Sequence, residues 1–248
     1  MEKGVFTIMK WTENLEIRFH DADASGRVAP GTALRLMEEI GNNQIEVQHP
    51  TWDELAERDQ AFVINGLRLQ FYQPLLPHDH ISVNTWACPS KGVFFNRCYQ
   101  IVRDGETIAE LNSIWAMVGL SDRKIYRVNE VELCYDMDKP LSLNKPTQTR
   151  IPAEVQPEYI GSHQVRYSET DYIGHMNNTR YLDLLCDHIP DFRSRMVTSI
   201  GIKFKAEAPL GETIKLYRAK LGDTYYFRTI RSDGQINIEA EIETTIIE

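Results

Sequence analysis

The chain repeats itself, and the repeat limits what it can fold into more than any other feature. Displaced by 148 positions, Arg18-Phe19 falls on Arg166-Tyr167, Asp23 on Asp171, Gly26 on Gly174, Leu34 on Leu182 and Leu36 on Leu184. Displaced by 133, Gln70-Phe71 falls on Lys203-Phe204 and Ile81 on Ile214. The two registers differ by sequence added to the first copy, where Thr51 to Arg58 reads as an extra helix. Two copies of one supersecondary plan are implied, and 248 residues suffice for two modest domains. We place a first unit at 1–138, a linker at 139–158 marked by Pro140, Pro146, Pro152 and Pro157, and a second unit at 159–248.

Hydrophobic periodicity supplies the same element order in both units. In the first, Leu15 to Phe19 alternates as a strand. Thr32 to Glu46 predicts a helix, with Leu34, Met37, Ile40 and Ile45 on one broad apolar face. Strands follow at Phe62–Phe71, Ile81–Ala87, Val93–Val102 and Thr107–Val118. In the second unit a strand at Ser162–Tyr167 leads to a helix at Asn178–His188, stopped by Pro190 and Asp191. Strands are then expected at Ser199–Lys205, Thr213–Leu221, Tyr225–Arg231 and Gln235–Ile246. The class is α+β: in each unit one helix, then an antiparallel meander.

The copies differ where chemistry would sit. The register that matches Asp23 to Asp171 puts Arg27 on His175, Ala29 on Asn177 and Pro30 on Asn178. The first copy kept a scaffold and lost polar groups, so catalysis belongs to the second. There Asp171 and His175 lie in a polar turn at a helix entrance, where unpaired N–H groups and the helix dipole favour negative charge. Imidazole beside a carboxylate makes a proton-handling or orienting pair. Asn177 or Asn178 can cap the helix, although turn chemistry alone also selects Asp, Gly and Asn. Tyr181, Leu184, Leu185 and His188 share a face of that helix. This makes His188 a further candidate, with complementarity to the helix dipole as its simpler reading.

Other chemistries lack local support. There is no G-x-S-x-G, H-E-x-x-H, P-loop or G-x-G-x-x-G pattern, and no metal or cofactor is expected. Cys88, Cys98, Cys134 and Cys186 have neither metal nor disulfide-scaffold spacing and read as free thiols. The formal charge of −9 argues against general affinity for nucleic acid or anionic membrane. With no secretory signal and no apolar run of the roughly 18 residues that a membrane span requires, a cytoplasmic protein is expected.

The pattern D-x-x-x-H-x-N-N-x-x-Y, from Asp171 to Tyr181, after a short strand and opening a helix, resembles the hotdog-fold thioesterases. The longer context resembles the acyl-acyl carrier protein (acyl-ACP) thioesterases of plants and bacteria. The resemblance implies two tandem hotdog units, each a long central helix wrapped by a curved antiparallel sheet. It implies that Glu207, ending the strand after the second helix, activates water. Plant relatives often carry cysteine next to that glutamate. Ala208 stands here, which removes a cysteine nucleophile. The family's frequent asparagine two positions before the histidine is replaced by Ile173. Alternation along Ile202-Lys203-Phe204-Lys205 puts Glu207 on the face opposite Ile202 and Phe204 unless the strand bulges before Pro209.

The expected mechanism is water attack on a thioester at the N-terminus of the second helix. Glu207 deprotonates water, Asp171 orients the site, His175 polarises the carbonyl or assists proton transfer, and Asn177 and Asn178 support the turn. Backbone N–H groups near His175 to Asn177 would receive the oxyanion. The resemblance gives the first unit the acyl chain, lined or filled by Leu36, Met37, Ile40, Ile64, Leu67 and Leu69. The implied partner is an acidic acyl carrier protein. Its docking candidates are Lys203, Lys205, Lys215, Arg218 and Lys220, with Arg193 and Arg195 after the helix. An acyl-CoA thioesterase and an acyl-binding protein without turnover remain open, as do a monomer and a homodimer.

Overall fold

The computed structural model describes residues 10–134 and 137–247. The ends of the expected units at 1–9, 135–136 and 248 lie outside the described residues. The chain opens with β1 (Trp11–Glu16), followed by α1 (Pro30–Val47) and α2 (Trp52–Glu57). A meander of β2 (Gln60–Phe71), β3 (His80–Lys91), β4 (Phe94–Arg103), β5 (Glu106–Gly119) and β6 (Ile125–Tyr126) completes the first half. The second half runs β7 (Glu158–Gln164), α3 (Asn178–Asp187), β8 (Arg195–Phe204), β9 (Thr213–Leu221), β10 (Thr224–Ile230) and β11 (Ile236–Ile246).

All strands join one antiparallel sheet in the order β1-β3-β4-β5-β2-β8-β11-β10-β9-β7, with β6 on β5. The second half mirrors the first about the β2–β8 seam, where Gly66 to Gln70 pair with Lys203 to Ser199. The repeat is visible in hydrogen bonds. Asp23 N–H donates to Arg27 O at 2.8 Å and Asp171 N–H to His175 O at 2.9 Å. Val28 N–H donates to Leu75 O and Met176 N–H to Ala208 O, 2.9 and 2.8 Å. Gly26 and Gly174 both hold positive φ, which lets each turn close without a Cβ penalty.

The expected strands at Leu15–Phe19 and Ser162–Tyr167 end earlier, and short 3-10 turns follow at Phe19–Asp21 and Tyr167–Glu169. A carboxylate three residues on closes each: Asp21 accepts from Arg18 N–H at 2.9 Å, Glu169 from Arg166 N–H at 2.7 Å. The added segment folds as α2 because Thr51 and Glu54 form a reciprocal capping box. The helices are unequal, with 18 residues in α1 and 10 in α3. They pack on each other and on the sheet: Gly31 lies under Asp183, and Arg35 pairs with Asp183 at 2.8 Å.

One apolar core runs through both halves, including Leu34, Met37, Leu67, Leu182, Leu185 and Ile238. Met37, Ile40, Leu67 and Leu69 are buried in this core, and Leu36 and Ile64 are partly buried against it. The proline-bearing stretch after β6 is a strap pinned across the sheet. Trp86 and Asn112 donate to its Lys139 and Leu141 carbonyls, and Arg68 holds Pro146 O and Thr149 Oγ1.

Candidate active site

The Asp171–Asn178 segment is built by its own short-range hydrogen bonds. Asp171 Oδ1 accepts from Ile173 N–H at 3.0 Å and His175 N–H at 3.3 Å, so this carboxylate shapes the turn. Asn177 caps α3: its Oδ1 accepts from Thr179 N–H at 3.0 Å and Thr179 Oγ1 at 2.7 Å. Ile173 lies exposed at the turn. Tyr181 anchors α3 from below, with Asn237 Nδ2 donating to its hydroxyl at 3.0 Å.

Glu207 comes to this turn from β8. The strand alternation ends at Phe204, because Lys205 and Ala206 both donate their N–H groups to Asn237 O, at 2.9 and 3.2 Å. Released from that alternation, Glu207 brings Oε2 to 3.4 Å from His175 Nε2. The imidazole is 23% exposed and the carboxylate 44%, so both reach solvent at the mouth of the site. Glu207 Oε1 also accepts from Arg123 Nη1 at 3.0 Å, a residue of the β5–β6 turn in the first half. Arg231 Nη1 donates to Glu207 O at 3.1 Å. In the first copy the position of His175 is filled by Arg27, which donates to the carbonyls of Arg193 and Arg195.

The backbone donors expected for an oxyanion are engaged elsewhere. His175 N–H serves Asp171, Met176 N–H donates to Ala208 O at 2.8 Å, and Asn177 N–H to Glu169 O at 2.9 Å. The turn needs these bonds to hold its shape, which removes them from a ligand. Among the described residues the next group, Asn178 N–H at the start of α3, has no protein acceptor. The Asn178 side chain points to the other half: Nδ2 donates to Glu38 Oε1 on α1 at 3.4 Å. Burial pushes the Glu38 carboxyl up to about 7, against Asn178 and Arg35, which pull it down.

Glu38 also opens onto a pocket of about 650 Å³, open mouth included, between α1, α2 and the sheet of the first half. Asn42 and Ile45 share its α1 wall, and Trp52, Phe62, Phe95 and Trp115 give it an aromatic lining. Sequence reasoning missed these residues because it followed the core face of α1. The signal available was an acid, Glu38, in the middle of an amphipathic helix, with a tryptophan in the added segment.

None of the seven docking candidates forms a hydrogen bond or ion pair with Asp171, His175 or Glu207 among the described residues. Lys203 donates to Asn65, Lys205 pairs with Glu239 at 2.6 Å, Lys220 lies over Tyr225, and Lys215 is exposed on β9. Arg218 donates to His188 O and Arg195 to Pro190 O, while Arg193 O accepts from Arg27. These three sit past the C-terminal end of α3, about 15 Å along the helix from the motif. His188 is the C-cap there, its Nδ1 2.8 Å from Leu184 O, and so lies outside the site. Among the described residues no cluster of three or more His, Cys, Asp or Glu could hold a metal ion, and no helix is long and apolar enough to cross a membrane.

The sequence profile of the acyl-ACP thioesterase N-terminal domain matches residues 9–135, and that of the C-terminal domain matches residues 153–245. No curated protein sequence matches the chain. An acyl-ACP thioesterase from Bacteroides thetaiotaomicron has the same fold at 18% identity and a TM-score of 0.85, over 96% of this chain and 98% of that one. The 12:0-ACP thioesterase from Umbellularia californica matches at 16% identity and a TM-score of 0.82, over 96% of this chain and 98% of that one. At these identities the likeness is one of fold. The two profiles together cover nearly the whole sequence, and the chain belongs to the acyl-ACP thioesterase family.

Proposed function

We propose that this thioester hydrolase works as two hotdog units fused in one chain, the first holding the acyl group and the second cleaving it. The observation that carries the reading is the approach of Glu207 to His175, 3.4 Å apart, beside the Asn177-capped entrance of α3. Glu207 takes a proton from water as the water oxygen bonds to the thioester carbon. The C–S bond breaks, and the departing thiolate receives that proton through His175. The oxyanion lies at Asn178 N–H, a donor whose removal in comparable sites costs about 3 kcal/mol of barrier. Asp171 keeps the turn closed without touching the reacting atoms.

An acidic carrier protein is drawn by cations around this mouth: Arg123, exposed beside Glu207, with Arg166 and Arg180 flanking the turn. Its binding weakens with salt, since exposed charges are screened beyond about 8–10 Å. The reading places the enzyme in the cytoplasm as a monomer or homodimer, with no metal, cofactor or nucleic acid in its reaction.

The test is hydrolysis of a chain-length series of acyl-ACPs and acyl-CoAs by wild type, His175→Ala and Glu207→Gln. Faster release from ACP, with kcat lowered by about 10²–10⁴-fold in each variant and the fold retained, is expected. Turnover confined to CoA substrates would make it an acyl-CoA thioesterase, and binding without turnover would make it an acyl-binding protein.

A further inference from the structure

A polar group stands where an unsubstituted acyl chain would need only hydrocarbon. Glu38 occupies the step between two features. On one side Asn178 holds its carboxyl at 3.4 Å, and Asn178 also carries the helix-terminal N–H assigned above to the oxyanion. On the other side Glu38 and Asn42 edge a pocket that Ile45, Trp52, Phe95 and Trp115 line with apolar surface, with Ser90, Asn96 and Arg97 as further polar lining. An acyl chain that presents its carbonyl to Asn178 and its tail to those aromatics must pass Glu38 within its first few carbons.

Glu38 is only half-buried, and a bare methylene chain passing there would remove the rest of its carboxyl from water without a replacement partner, an unfavourable exchange. A hydroxyl on the chain replaces the lost contact. It can donate to a carboxylate or accept from a carboxylic acid, so it fits Glu38 in either protonation state. Sites of this kind discriminate strongly, because the buried polar group is left unpaired by the substrate that lacks the hydroxyl. Arg97 lines the same pocket but is held by Gln44 Oε1 and Thr85 Oγ1, and the groups that act on Glu38 itself are Arg35, held by Asp183 at 2.8 Å, and Tyr99 across the pocket. Neither competes for its free oxygen through a hydrogen bond among the described residues.

We infer that the preferred substrates are acyl thioesters bearing a hydroxyl close to the carbonyl, with Glu38 as the residue that reads it. The inference rests on the hydrolase reading for its catalytic consequence, although recognition by Glu38 does not require turnover. It assigns Glu38 no part in bond cleavage.

The test compares 3-hydroxydecanoyl-ACP with decanoyl-ACP as substrates of wild type, Glu38→Gln and Glu38→Leu. Affinities for the two matching non-hydrolysable acyl-pantetheine amides are measured alongside. Wild type should favour the hydroxylated substrate by about tenfold or more in kcat/KM and its amide by a similar ratio. Glu38→Leu should bring both ratios to one or below by gaining on the unsubstituted chain, and Glu38→Gln should keep most of the preference. A wild-type ratio of one or less, or an unchanged ratio in Glu38→Leu, would overturn the inference. If neither thioester is cleaved, the hydrolase reading fails; the amide affinities then still decide, supporting recognition by Glu38 or refuting it by the same ratios.

Discussion

Replacing Arg68 by methionine should loosen the seam between the halves. Arg68 is 2% exposed, and burial alone pulls the guanidinium below its usual pKa. It is kept charged by Glu241 at 3.5 Å and donates to Pro146 O (3.1 Å), Thr149 Oγ1 (3.0 Å) and Ser199 Oγ (3.3 Å). Three bonds from a charged donor contribute about 1.5–3 kcal/mol each. Methionine recovers several kcal/mol of guanidinium desolvation, so replacing the whole network could be neutral. Only one partner is changed, however. Thr149 and Pro146 lose their donor on the strap, while Glu241 keeps Lys145. The net loss should be about 3 kcal/mol, below the upper range for a broken buried pair because of that second cation. For a chain of this size it corresponds to a Tm lower by roughly 6–12 °C. Thermal unfolding measures it, and hydrogen exchange should quicken in the strap and in β2 and β8. A Tm within about 2 °C of wild type, with strap exchange unchanged, would refute the reasoning.

Two further outcomes can be checked on the same material. Asn177→Ala removes the α3 cap and should cost about 1 kcal/mol of stability, read by urea unfolding, with a loss of thioester turnover larger than that stability change explains. Glu38 holds in the native state a proton that the unfolded chain releases from its ordinary 4.5 upward, since burial raises the folded value to about 7. Stability therefore falls as pH rises through that window. Glu38→Gln should gain on wild type, by on the order of 2–3 kcal/mol between about pH 5 and about pH 8, and a pH-independent difference would contradict it.

What the sequence determined by itself is local or repeated. The paired turns at Asp23–Arg27 and Asp171–His175 were legible because their hydrogen bonds span four residues. The helix at Trp52–Glu57 was legible as sequence added to one copy of the repeat, and the antiparallel meanders through period-two alternation. The tertiary structure decided the rest. Alternation along β8 assigned Glu207 a side, but that rule lapses where Asn237, distant in sequence, accepts from two successive N–H groups and turns Glu207 toward His175. The oxyanion donors expected at His175 to Asn177 are taken by Ala208, Glu169 and the turn itself, two of which are long-range or cross-element partners. Glu38 meets Asn178 only because Gly31 lets α1 approach α3, where a Cβ would lie 2.0 Å from Asp183 Oδ1. Local periodicity and capping energies are set by neighbours in the chain. Burial, pairing across the seam and the direction of an acid are set by which distant surfaces are brought together.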